Sequence, residues 1–177
     1  MSALAFHQLI AKAVEINFCT SPQVEEDFLT FQVLETGVGV QIIMRAFEPE
    51  PEYQAVKVCL WFCNQDGSRM NFSAIDYGEA LVLCNILSYE IEWGAIIPFQ
   101  YDETNISICL TSTIDTAVDD VETMRKMDHN SILLRNMFRL FQTAERIYPV
   151  LYGVSTGQIT SFDSIESFLA EETESTQ

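Results

Sequence analysis

Basic residues are scarce in this chain. Nine Lys and Arg stand against 26 Asp and Glu, a formal charge of −17 over 177 residues. Nucleic-acid affinity rests on cationic contacts to phosphate, so this deficit argues against nucleic acid and anionic lipid surfaces as partners. A charged partner is expected to be basic. Histidine is equally thin. His7 and His129 are the only two, too few for the usual metal site or nucleophile–base pair, and each is expected in a surface or half-buried role. No apolar stretch approaches the roughly 18 residues of a membrane span. The N-terminal stretch lacks the basic region and apolar run of a secretory signal, so a cytoplasmic protein is expected. No G-x-S-x-G and no Walker motif is present. Gly37 and Gly39 flank Val38 without the helix start that a phosphate loop needs, and read as turn residues.

Five cysteines, Cys19, Cys59, Cys63, Cys84 and Cys109, are odd in number and irregular in spacing. That favours reduced thiols packed in a core over a disulfide framework. Cys59 and Cys63, four apart on one strand, would sit roughly 13 Å apart on one face, too far to pair. Asp115, Asp119 and Asp120 cluster ahead of a helix. They read as capping and dipole compensation, because the alternating ligand pattern of a calcium loop is missing. No catalytic set, metal or cofactor is expected, and the chain reads as non-enzymatic.

What the chain does hold is apolar patterning. Hydrophobic residues make up 48% of it, including twelve Phe, enough for one domain with a real core. Residues 2–18 read as a first helix and 20–27 as a loop. Residues 28–35 alternate apolar and polar, as a half-buried strand does. Strands follow at 38–47 and 55–64, separated by an acidic loop with Pro49 and Pro51, and a tight turn closes at 65–68. A short extended run, 69–74, leads into the stretch that organises the rest.

That stretch begins with a helix over 76–92, opened by Asp76 and Glu79 in capping-box spacing. Ala80, Leu83, Cys84, Leu87 and Ile91 form one apolar stripe. Val82, Ile86, Tyr89 and Trp93 form a second on the opposite side. A surface helix usually carries one such stripe, so two opposed stripes need two neighbours. A strand follows at 95–101, with Ala95, Ile97, Phe99 and Tyr101 on one face and Pro98 marking an edge. After an acidic turn, 106–114 alternates again. A last helix is expected from Asp119, with the stripe Leu134, Met137, Phe138, Phe141, Ala144 and Tyr148, ended by Pro149 and Gly153.

The expected architecture is α+β: an antiparallel sheet of about five strands with flanking helices, in the order α-β-β-β-α-β-β-α. Residues 1–153 form the domain. Residues 154–177 hold five acids and no Lys or Arg, a composition of disorder. Within them, Phe162, Ile165, Phe168 and Leu169 have the spacing of one amphipathic turn able to dock.

The helical run Ala80-Leu-Val-Leu-Cys-Asn85, the strand Ala95-Ile-Ile-Pro-Phe-Gln-Tyr101, the turn Asp102-Glu-Thr-Asn105 and the strand Ile106-Ser-Ile-Cys-Leu110 resemble the YbjN family. That family is similar in fold to the type III secretion chaperones. The shared element order covers about residues 2–151. The resemblance implies an acidic cytoplasmic homodimer that binds other proteins, with no catalytic residue to carry over. The Glu-Pro loop and the acidic tail depart from the family.

Two functions follow as expectations. The first is a chaperone-like protein-binding module, a homodimer with an unidentified protein partner, whose interface uses Val82, Ile86, Tyr89, Trp93 and Phe99. The second is a small-molecule site between the sheet and the last helix, lined by Phe138, Phe141, Tyr101 and Trp61. Trp61 shares its strand face with Lys57 and the cysteines, and either lines a binding surface or is covered by the last helix.

Overall fold

The computed structural model describes residues 3–18, 20–35, 38–46, 53–89, 91, 93–117 and 131–160. They form three helices and a six-stranded antiparallel sheet, a mixed α+β fold. The elements are α1 (Ala3–Phe18), β1 (Gln23–Val24), β2 (Leu29–Glu35), β3 (Val38–Ala46), β4 (Tyr53–Phe62), α2 (Tyr77–Ser88), β5 (Ala95–Gln100), β6 (Ile106–Ala117) and α3 (Ile132–Ser155). The strand order is β1-β2-β3-β4-β6-β5. The sheet has one strand more than expected. Gln23 and Val24, read as loop, pair with Thr30 and Leu29. Two residues are too few to show an alternation, so only the neighbouring strand reveals them.

The period of two assigns the faces. Leu29, Phe31 and Val33 on β2, Val40, Ile42 and Met44 on β3, Val56, Val58, Leu60 and Phe62 on β4, and Ile106, Ile108 and Leu110 on β6 are all buried in one cluster. Ile10, Ala13 and Val14 of α1 join them, with Leu83 and Leu87 of α2 and Leu134, Met137 and Leu151 of α3. All three helices therefore share one side of the sheet. α1 lies against β1 to β3, α3 against β3 and β6, and α2 over β5 and β6 at the edge. The segment after β4 is part of this core. Met70 and Phe72 are buried, and their amides donate to the carbonyls of Phe62 (3.0 Å) and Ile106 (2.9 Å). His7, expected at most half-buried, is fully buried in α1, and burial lowers its pKa from the ordinary value. His129 lies outside the described residues.

The capping box of α2 is formed. The Glu79 amide donates to Asp76 Oδ1 (2.8 Å), and the Asp76 amide donates to Glu79 Oε2 (2.9 Å). The helix stops at Ser88 with Tyr89 as its cap, a turn before the expected 92. Further extension would put Glu90 and Glu92 at the negative end of the helix dipole. Strand β5 is an edge, as Pro98 indicates, and Pro98 itself is buried.

The last helix corrects its expected end. It runs through Pro149 and Gly153 to Ser155. Val150, Leu151 and Val154 are buried, so core packing carries the helix past the proline, which otherwise costs about 3 kcal/mol inside a helix. The stop is Gly157, at φ +71. The Gly157 amide donates to the Val154 carbonyl (3.1 Å) and the Gln158 amide to the Gly153 carbonyl (2.8 Å), the two bonds of a Schellman motif. Gly153 serves packing instead. A Cβ there would lie 2.6 Å from Ile159 Cδ1, so its bareness lets Ile159 fold back. The expected start at Asp119 lies outside the described residues, and the helix is capped at Ser131.

Leu83→Ala removes a fully buried side chain and is expected to cost about 3 kcal/mol, read by chemical denaturation. Asp76→Ala loses one half of the capping box directly, and is expected to cost about 1 kcal/mol. Equal costs would mean that α2 is not held by its buried stripe.

Candidate functional site

The five expected interface residues fall into two places. On α2, the stripe Ala80, Leu83, Cys84 and Leu87 is buried, while Val82 is 45% and Tyr89 91% exposed. Ile86 is half-buried and packs against the core. Trp93 follows the helix and is 47% exposed, with the Arg139 guanidinium 5.5 Å from its ring centroid. These four lie in the helical layer. Phe99 does not. It belongs to the opposite face of the sheet, where its ring lies 4.9 Å from that of Trp61.

That opposite face carries the side chains the core does not take, among them Gln41, Ile43 and Arg45 of β3, Lys57, Cys59 and Trp61 of β4, and Cys109 and Thr111 of β6. No helix of the described residues packs on it. Trp61 is therefore not covered by the last helix. Its own neighbours bring it down to 9% exposure. Tyr101 lies 6.5 Å from it, and the Arg69 guanidinium stands 4.3 Å from its ring centroid. Arg69 is fixed by neutral groups: it donates to Gln41 Oε1 (3.2 and 3.0 Å) and to the Tyr101 hydroxyl (2.9 Å). The indole Nε1 of Trp61 is buried without a hydrogen-bond partner. The four residues expected to line a pocket do not converge. Phe141 is in the core and Trp61 and Tyr101 lie across the sheet from it.

Sequence reasoning missed the thiol arrangement on this face. Cys59 pairs with Thr111 and Trp61 with Cys109 across the β4–β6 ladder. Cys59 and Cys109 are thus diagonal neighbours on one face, a relation that only register supplies. The hydrogen bond from Cys109 is the main influence that lowers the Cys59 thiol to about 6; Thr111 and the charge of Lys57 add to it against burial. The same contact, with burial, pushes Cys109 up. Thr111 Oγ1 lies 3.4 Å from Cys59 Sγ and 3.2 Å from the Val58 carbonyl. Its one proton can turn toward the sulfur once the sulfur is ionised. Cys84, in the core, is pushed up to about 12 by burial. Cys59, Cys63, Cys84 and Cys109 are free thiols.

Among the described residues, no three His, Cys, Asp or Glu side chains converge as a metal site would require. Asp115 is exposed on β6, and its expected companions Asp119 and Asp120 lie outside the described residues. No described helix is long and apolar enough to cross a membrane. No protein-family model, no curated protein and no solved structure matches this chain. Among the described residues, the geometry is that of an α+β fold with its helices on one side of the sheet, an edge helix that is apolar on both sides, and an aromatic cluster on the other sheet face.

The thiolate is the nucleophile in alkylation, so the rate at Cys59 should rise with pH and level off above about 6. Peptide mass spectrometry after brief iodoacetamide exposure reads this rate. Thr111→Val should move the midpoint upward. A midpoint near the ordinary thiol value of about 8.5 in the intact chain would show that Cys109 and Thr111 do not stabilise the anion.

Proposed function

We propose that this chain is a non-enzymatic protein-binding module, chaperone-like in role, working in the cytoplasm as a homodimer. In this reading it shares the fold of the YbjN family and the type III secretion chaperones, and it uses no cofactor. The observation that carries the reading is the outward stripe of α2. Val82 and Tyr89 are exposed beside half-buried Ile86, directly opposite the stripe that holds the helix to the sheet. The helix also sits over the edge strand β5, where a second copy can approach without displacing another strand of the described sheet.

The magnitudes allow it. Full burial of each large apolar side chain contributes about 1.5–3 kcal/mol. Four such residues on each protomer offset the association cost of roughly 4–15 kcal/mol when the packing is close. The formal charge of −17 sets a counterweight, since like-charged protomers repel at long range. A basic protein partner is accordingly the favoured client.

Sedimentation velocity at micromolar concentration tests the assembly. The intact chain is expected to sediment as a dimer, and both Ile86→Asp and Tyr89→Asp as monomers with unchanged circular dichroism. Tyr89 is 91% exposed, so its variant leaves the fold intact even where the Ile86 variant loosens it. A monomeric intact chain, or a Tyr89→Asp chain that remains dimeric, would end this reading.

A further inference from the structure

On the sheet face away from the helices, the strand register brings two thiols together. Cys59 stands opposite Thr111, and Cys109 opposite Trp61. The two cysteines are therefore diagonal neighbours on one face, and a hydrogen bond links their side chains. They are not equivalent. Cys59 is partly exposed, while Cys109 is buried. Thr111 Oγ1 lies 3.4 Å from Cys59 Sγ, and Lys57 adds a positive charge nearby. A thiolate at Cys59 thus has two hydrogen-bonding groups and a cation around it, and a path to solvent. Redox-sensing cysteines share this setting: they are readily ionised, accessible and placed next to a second, resolving thiol.

No other described thiol fits the resolving role. Cys63 is four residues along β4 from Cys59, with Trp61 between them, a separation of roughly 13 Å. Its thiol is buried and turned to the Trp61 carbonyl (3.5 Å). Cys84 belongs to the core on the other side of the sheet.

We propose that Cys59 and Cys109 form a reversible redox pair, in which a hydroperoxide oxidises Cys59 and Cys109 then closes a disulfide onto it. In the first step the Cys59 thiolate sulfur attacks one peroxide oxygen. An S–O bond forms, the O–O bond breaks, and the departing oxyanion takes a proton from water. Cys59 becomes a sulfenic acid, its sulfur oxidised by two electrons and the peroxide reduced. In the second step the Cys109 sulfur attacks the Cys59 sulfur. An S–S bond forms, the S–O bond breaks, and the hydroxide leaves as water with the Cys109 proton.

The order of the steps follows from the shared contact. While Cys59 is an anion, its hydrogen bond and its charge, with burial, push the Cys109 thiol up and keep it protonated. A sulfenic acid is neutral. Oxidation of Cys59 therefore removes the charge that opposes ionisation of Cys109, and the charges of Arg69 and Lys57 still favour it. Diagonal positions of a ladder lie about 7–8 Å apart between Cα atoms, at the limit of what a disulfide spans without backbone movement. A bridge here is strained, and strained bridges are the readily reduced ones. That makes the oxidation reversible by thiols. This proposal does not rest on the dimer reading, which concerns the helical layer.

The test treats the full chain with hydrogen peroxide at neutral pH and reads chymotryptic peptides by mass spectrometry without reduction. Leu60, Trp61 and Phe62 supply cleavage sites between Cys59 and Cys63, so the two are read separately. The intact chain is expected to yield a linked pair of peptides holding Cys59 and Cys109, lighter by two hydrogens than the two thiol peptides together. Dithiothreitol should restore both thiols. In Cys109→Ala the linked pair is lost, and Cys59 is instead captured by dimedone as the sulfenic acid or proceeds to the sulfinic acid. Cys59→Ser should lose both products and leave Cys109 reduced. Circular dichroism checks that the variants fold, and the intact chain decides the proposal even where one does not. Dimedone capture at Cys59 of the intact chain with no linked pair would overturn it. So would a link joining Cys59 residues of two chains. Oxidation of Cys84 as fast as Cys59 would overturn it too, by showing that the arrangement on this face confers no selectivity.

Discussion

A sheet of six strands has two faces, and this chain places all three described helices on one of them. The rest of the molecule follows from that imbalance. Alternate residues on each strand face opposite ways, so the covered side collects Val, Ile, Leu and Phe in a continuous core. The other side receives whatever stands between them. Across β2 to β4 these include Thr30, Gln32, Gln41, Arg45 and Lys57, which water tolerates, interspersed with Leu34 and Ile43. At the end where β4 meets β6 and β5 they are aromatic, and there the molecule covers itself with side chains. Arg69 is drawn over Trp61 from the segment after β4, and the same segment sends Met70 and Phe72 into the core on the other side. One short stretch thereby closes the end of the sheet on both faces.

The position of α2 has the same origin. A helix in the middle of the layer, such as α3, buries its inner surface and turns mostly polar residues outward, among them Arg135, Arg139, Gln142 and Arg146, with Phe138 and Tyr152 also exposed. At the edge, α2 packs on β5 and β6 and leaves Val82 and Tyr89 exposed. The capping box and the buried Leu83 and Leu87 hold the helix, with Ile86 also packed against the core, while Val82 and Tyr89 face outward. The diagonal pair Cys59 and Cys109 lies on the other face, where the contact between the thiols, with Thr111 and Lys57, lowers Cys59 and, with burial, raises Cys109.

Much of the fold was legible. Alternation located five of the six strands, and Asp76 with Glu79 located the start of α2. Pro98 marked an edge, which it is. The misses have physical causes. β1 is two residues long, too short for a period. Pro149 is a helix breaker by propensity, but Val150 and Leu151 bury beyond it and tertiary packing prevails. Gly153 looked like a terminus because glycine often is one. Its real constraint is the close approach of Ile159, while Gly157 takes the positive φ that ends the helix. Of the candidate site, the outward stripe of α2 was readable from helical spacing. The partnership of Trp61 with Phe99 was not, because the two are 38 positions apart in the chain and meet through strand β6 between them.

The amino-acid order by itself determined the class of elements, the faces of the strands and the double character of α2, because each depends on periods of two and of 3.6 residues that are local. It also determined the acidity, which is a matter of counting. Tertiary structure decided which strands lie side by side, and therefore which residues become neighbours. Register set Cys59 beside Cys109 and Arg45 beside Lys57, and the one-sided layering exposed the Trp61 face. No local pattern encodes those meetings, since each arises from two distant segments that only hydrogen bonding between strands brings together.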